Sequence, residues 1–339
     1  MTWRVLNHPP CTLGESPFWH PDERRLYWVD IQQQCVHRLD PATGAAQQWL
    51  LPSEPGCIAP VRSFLTHPAN NTPAPGAAKN PETVSELGGG LVIALRDGIY
   101  RADHWGGHLT CLAPALHDVA THRFNDGKAD PEGRFWVSTI NEARTAASAQ
   151  LLSLAGAGRS FGAALSLQVM ATGATVGNGL AWSPDNRTVY WADTTSHSVR
   201  AWDFDARRNT LNAERVFKQW PAKPAGWQAG TPAGAPHSQG YAGRPDGAAV
   251  DVAGNYYVAM YEGAQVIKLS PDGVVLANIA VPAQCPTMPC FGGDDGCTLF
   301  VTSARQNQPA AELVTYPNSG CVFAMQVDVP GLPVNFYAG

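Results

Sequence analysis

Four oxygen-bearing side chains stand at matching places in four separated stretches of this 339-residue chain: Glu15 in GESPFW, Asn125 in RFNDGK, Asn178 in GNGLAW and Asp246 in RPDGAAV. Each sits beside a small residue or a turn former, just ahead of a strand-like run. Carboxylates and amide carbonyls are hard oxygen donors, the ligand set of calcium, magnesium or manganese. A lone Asp, Asn or Glu in such a setting can equally cap a turn through its own backbone. Four of them in phase point instead to one shared centre.

Other chemistry-bearing residues are less well placed. His8, His20, His67 and His197 are scattered and read as surface or turn residues. Ser16 is followed by Pro17 rather than sitting in a G-x-S-x-G elbow, which argues against a serine hydrolase. The eight cysteines contain no C-x-x-C pair, and the spacing of Cys285, Cys290 and Cys297 fits no zinc pattern, so free, mostly buried thiols are expected. The tryptophans fall mostly at strand positions and read as core; Trp227, in an irregular stretch, is the exception.

The elements that must carry the four polar residues are repeated. NGLAWSPDNRTVYWAD (178–193) is a short apolar run, a Ser-Pro-Asp-Asn turn and a β-branched, aromatic run, which is the pattern of two short strands joined by a polar turn. The same plan recurs in residues 14–30, 125–139 and 245–260. Periodicity at this scale signals a repeat architecture. Six units can be marked, at 14–49, 58–101, 124–154, 180–217, 246–276 and 287–327. Six units of four antiparallel strands predict an all-β, six-bladed β-propeller, with residues 3–6 supplying a strand that completes the last blade and closes the ring. The reading is of one domain over 1–339, with insertions near 66–88 and 220–243. No helix is expected, and 143–154 is the single ambiguous stretch.

Composition agrees: 44% hydrophobic residues allow a large core, and 33 glycines and 28 prolines suit many tight turns. A net charge of -5 without a basic cluster argues against nucleic acid or an acidic membrane surface as partner. No stretch reaches the roughly 18 apolar residues of a membrane span, and the first fifteen residues lack a signal-like apolar run, so a cytoplasmic protein is expected.

Five segments carry a more specific likeness. GESPFWHPDERRLYWVDI, RFNDGKADPEGRFWVSTI, GNGLAWSPDNRTVYWADT, RPDGAAVDVAGNYYVAM and CFGGDDGCTLFVTSA resemble the SMP-30/gluconolactonase family, which includes regucalcin, and the likeness runs through all six units. It implies one divalent cation in the propeller channel, Ca, Zn, Mg, Mn or Fe(II), held by Glu15, Asn178 and Asp246. It implies substrate-orienting roles for Arg123 and Asn125. Glu142, in TINEA, is the candidate for a hydroxyl-binding Glu that some relatives carry after the strand of the third unit; a one-residue slip of register would turn it away.

The implied activity is hydrolysis of a sugar lactone, such as a glucono-, xylono- or arabinono-lactone, to its aldonic acid. A cation with open positions polarises the carbonyl, and Asp246 serves as general base. Two other readings use the same site: hydrolysis of organophosphates or activated esters, and a non-catalytic calcium-binding propeller. The presence of Arg123 favours an enzyme, because binding calcium alone does not require it. The expected partner is a small sugar lactone, and the expected state a monomer or weak homo-oligomer.

Overall fold

The computed structural model describes residues 2–62, 89–155, 165–230 and 240–339. The insertion 66–88, and residues 231–239 of the stretch 220–243 with His237, lie outside them. Among the described residues the strands form six four-stranded antiparallel sheets. In each sheet the first strand lies innermost. These inner strands are Gly14–His20, Cys57–Pro60, His122–Ala129, Gly177–Trp182, Arg244–Val250 and Pro286–Gly292. Each touches the next, and the last touches the first, so six sheets close a ring about a central channel. This is the six-bladed propeller expected from the repeats.

Closure follows the expected route. The last sheet takes three strands from the C-terminal part and its outermost one, Arg4–Val5, from the N-terminus, with Arg4 opposite Ala324 and Val5 opposite Phe323. Pairing the two ends of the chain in one sheet latches the ring, and the outer strand leaves only a two-residue edge.

Six apolar clusters fill the six gaps between neighbouring blades. Trp28, Trp136 and Trp191 are fully buried within them, each removing on the order of 200 Å² from water. These tryptophans are core, as expected.

The differences from the expected elements have plain causes. Blade three extends to 174, because Ser166–Ala174 forms its outer strand. That strand is largely exposed, and Met170 and Gly173 break its alternation of apolar and polar residues, so it carries little strand signal. The ambiguous stretch 143–154 is a turn followed by the strand Ala149–Ala155. Its residues 151–154 are all buried, which removes the period-two alternation that marks a strand with one wet face. One short helix, Ala310–Thr315, was not expected; six residues are too few to show helical periodicity. Among the described residues no helix is long and apolar enough to cross a membrane.

Candidate functional site: the channel mouth

The inner strands do more than line the channel. Register breaks occur between Glu15 and Phe18, Phe124 and Gly127, Asn178 and Ala181, and Pro245 and Ala248. Each break is a β-bulge, which bends the strand and re-aims a side chain. These bulges fall at the four polar residues of the sequence pattern; a fifth, between Pro286 and Pro289, holds Thr287, whose hydroxyl donates to the Gly14 carbonyl of the neighbouring blade.

Gly179 shows why the local sequence is constrained. It holds φ +59° within its bulge, and its carbonyl accepts a hydrogen bond of 2.7 Å from the Tyr256 hydroxyl of the next blade. A Cβ there would overlap that hydroxyl. Asp126 steadies the same turn, its Oδ2 accepting the Leu180 N–H at 2.8 Å. Buried aspartates at the ends of two second strands fix the chain entering the inner strands. Asp193 Oδ1 accepts the N–H groups of Thr175 (3.1 Å) and Val176 (3.0 Å). Asp30 does the same for Thr12 (2.7 Å) and Leu13 (3.1 Å).

The result is a cleft of about 50 Å³ whose walls include Glu15, Arg123, Asn125, Asn178 and Asp246. All five are buried. A chain of hydrogen bonds ties three blades together. Arg123 Nη1 donates to Asn125 Oδ1 (2.8 Å), Asn125 Nδ2 to Asn178 Oδ1 (2.8 Å), Asn178 Nδ2 to Thr194 Oγ1 (2.7 Å), and Thr194 Oγ1 to the Pro245 carbonyl (2.7 Å). Asn125 also donates to the Gly177 carbonyl at 2.9 Å. Its amide is therefore committed to orienting Asn178, with the oxygen of Asn178 turned into the network.

Electrostatics mark the cleft more sharply than its size. Burial, and then the charge of Asp246, pushes the Glu15 carboxyl well above the ordinary carboxylate range. Burial, and then Asp126, does the same to Asp246. Among the described residues neither Glu15 nor Asp246 has an ion-pair partner. Two buried, unpaired carboxylates beside each other require protons or a cation. No three His, Cys, Asp or Glu side chains among the described residues converge on a metal position. Here the third oxygen donor is an amide, Asn178, whose Oδ1 keeps one lone pair free. Two carboxylates and an amide oxygen match the donors a hard divalent cation takes.

The remaining expected residues fall less centrally. Glu142 lies just past the strand Phe135–Asn141 and is gripped by Arg96, at 2.9 and 3.1 Å, with Arg123 Nε at 3.8 Å. Arg96 also pairs with Glu54. The histidines stay outside the cleft walls, but His20 and His197 are buried rather than on the surface, and His67 lies outside the described residues. The cysteines are free, with Cys111 exposed and Cys297 half-buried. Trp227 packs on Lys223 and Tyr241 instead of lining the cleft.

Two arginines of the cleft wall, Arg144 and Arg244, are among its residues that had no role in the sequence reading. Arg244 stands two places before Asp246 on one strand, a signal present in RPDG. Arg144 sits in a turn, where spacing says nothing about direction. A larger cavity, about 380 Å³, lies at the other end of the channel, roofed by residues 332–335. Its walls are mostly apolar, and its half-buried Lys128 donates to the Ala248 carbonyl. The convergence of ionisable groups, not volume, selects the mouth.

Comparison with known proteins agrees with this fold. The model of the SMP-30/gluconolactonase/LRE-like region matches residues 13–305. A 6-deoxy-6-sulfogluconolactonase of Pseudomonas putida is 38% identical over 340 residues, covering 100% of this chain and 99% of the relative. A pentonolactonase of Haloferax volcanii is 29% identical, covering 95% and 94%. Among solved structures, a regucalcin from Agrobacterium tumefaciens described as calcium-binding superposes with a TM-score of 0.79 at 24% identity, over 99% of this chain and 97% of that one. The chain therefore belongs to the SMP-30/gluconolactonase/LRE-like family.

Proposed function

We propose that this chain hydrolyses a sugar lactone to its aldonic acid at the channel mouth, with a divalent cation held by Glu15, Asn178 and Asp246. The observation that carries the reading is the pair of buried, unpaired carboxylates beside Asn178 and the Arg123–Asn125 pair. The two lactonase names among the relatives support the substrate class.

When bound, the cation supplies Lewis acidity toward the lactone carbonyl and its attacking water. Asp246 takes a proton from that water as the new C–O bond forms. The ring C–O bond then breaks, and the same proton passes to the departing ring oxygen, giving a free hydroxyl and a carboxylic acid, which releases its remaining proton to solvent. Arg123 presents N–H groups to the substrate oxygens from a fixed position, since Nη1 is anchored on Asn125 Oδ1 and the Phe124 carbonyl, both at 2.8 Å. Asn125 holds Asn178 in place.

The test is a panel of aldonolactones, assayed before and after chelation with metal content measured, on wild type and Asp246→Asn. An amide ligates through oxygen but accepts no proton, so the variant should retain part of its metal and lose about 10²- to 10⁴-fold in kcat. Full activity in verified metal-free protein, or near-wild-type turnover by Asp246→Asn, would remove this mechanism.

A further inference from the structure

We propose that Arg144 and Arg244 form an anion-binding subsite on the rim of the channel mouth, selecting lactones whose end remote from the carbonyl carries a sulfonate, phosphate or carboxylate. This rests on the lactonase reading and adds the substrate's charge to it.

The two arginines reach the cleft from blades on either side of the one carrying Asn178. Arg144 comes from the turn after Phe135–Asn141 and Arg244 from the start of Arg244–Val250. Thr194 and Thr195, from the blade between them, complete that wall.

Their partners do not account for their charge. Among the described residues Arg144 makes no ion pair, yet its backbone is held. It adopts φ +55°, its N–H donates to the Asn141 carbonyl at 2.9 Å, and Asn141 Oδ1 accepts the next N–H, of Thr145, at 3.2 Å. An exposed arginine on a pinned turn presents a cation to whatever enters. Arg244 Nη2 pairs with Glu262 Oε1 at 2.9 Å, but Lys223 takes the same oxygen at 2.9 Å, and the Tyr241 hydroxyl donates to Oε2. One carboxylate thus faces two cations, and Arg244 Nε is buried with no acceptor.

The arginines of the mouth are unequally matched. Arg96 and Arg123 pair with Glu54 and Glu142. Arg144 has no ion pair among the described residues, and Arg244 shares Glu262 with Lys223, while the buried Glu312 lies near enough to Glu262 to feel its charge. A neutral sugar lactone leaves the charge of Arg144 unanswered; an anionic group answers it with charge-assisted hydrogen bonds, to which a guanidinium fork is matched.

The experiment compares glucono-1,5-lactone with its 6-phospho and 6-deoxy-6-sulfo counterparts, on the metal-loaded full chain and on Arg144→Ala, Arg144→Lys and Arg244→Gln. Wild type should prefer the anionic lactones, with the preference shrinking as salt rises. Arg144→Ala should lose about ten- to a hundredfold more in kcat/KM on them than on the neutral lactone, with Arg144→Lys between. The phosphate and sulfonate arms show which anion fits better. Calorimetry with 6-phosphogluconate against gluconate should show the same selective weakening in Arg144→Ala, independently of turnover. Hydrolysis of the neutral lactone with no preference for the anionic ones overturns this proposal and leaves the lactonase reading standing. Equal losses on all substrates in both arginine variants also overturn it. If no lactone is hydrolysed by metal-loaded protein, the lactonase reading falls and this proposal with it.

Discussion

Replacing Gly179 by alanine tests whether the bulge after Asn178 is what aims the site. Alanine in the left-handed region costs about 1–2 kcal/mol. The added Cβ overlaps the Tyr256 hydroxyl and stands 2.9 Å from Ala192 Cβ and 3.1 Å from the Asp246 carbonyl oxygen, so something must move. Tyr256 is fully buried and its hydroxyl has the Gly179 carbonyl as acceptor at 2.7 Å. Pushing it aside leaves a buried donor unpaired, at about 1–3 kcal/mol. The sum is about 2–5 kcal/mol, read as the shift of the denaturation midpoint at constant slope. Asn178 adjoins the distortion, and a displacement near 1 Å costs on the order of 10²-fold in rate. Tyr256→Phe in the same background removes the overlapping oxygen and should recover part of the loss, leaving the backbone cost and the close approach to Ala192. The two substitutions should therefore couple strongly in a double-mutant cycle. A Gly179→Ala protein within about 0.5 kcal/mol of wild type, or strict additivity with Tyr256→Phe, would refute this account of the bulge.

Two further outcomes follow from the same geometry. In chelated protein the folded-state pKa values of Glu15 and Asp246 lie above their unfolded values near 4. Their contribution to stability is thus full below about pH 4 and is lost as pH rises through the folded values. Urea unfolding at pH 5 and pH 8 should show a larger drop for chelated wild type than for Asp246→Asn, and identical drops would contradict the raised pKa of Asp246. Asp193→Ala strands the N–H groups of Thr175, Val176 and Thr195 and should cost about 2–4 kcal/mol, weakening metal binding through Asn178. Asp185→Ala, on an exposed hairpin turn, should cost clearly less, and equal costs for the two would rule out the proposed anchoring role of Asp193.

The architecture was legible in the chain because each blade repeats one local grammar. A polar residue, a turn signal and an aromatic strand recur often enough to count six units, and residues 3–6 were left over to close the ring. Glu15, Asn125, Asn178 and Asp246 were legible for the same reason: equivalent positions in a repeat must point the same way, so the axis brings them together whatever the loop lengths. Non-repeating features had no such support. The outer strand Ser166–Ala174 is too irregular in its alternation, the helix Ala310–Thr315 too short, and the strand Ala149–Ala155 too buried to display its period. Only the tertiary structure decided what the side chains do once they meet. It committed the amide of Asn125 to Asn178, handed Glu142 to Arg96, and left Glu15 and Asp246 without a direct ion pair among the described residues. It also brought Arg144 and Arg244 to one rim from positions a hundred residues apart in the chain. Charge balance depends on which groups lie within a few ångströms of one another, and that distance is set by how blades pack around the channel, which local sequence does not encode.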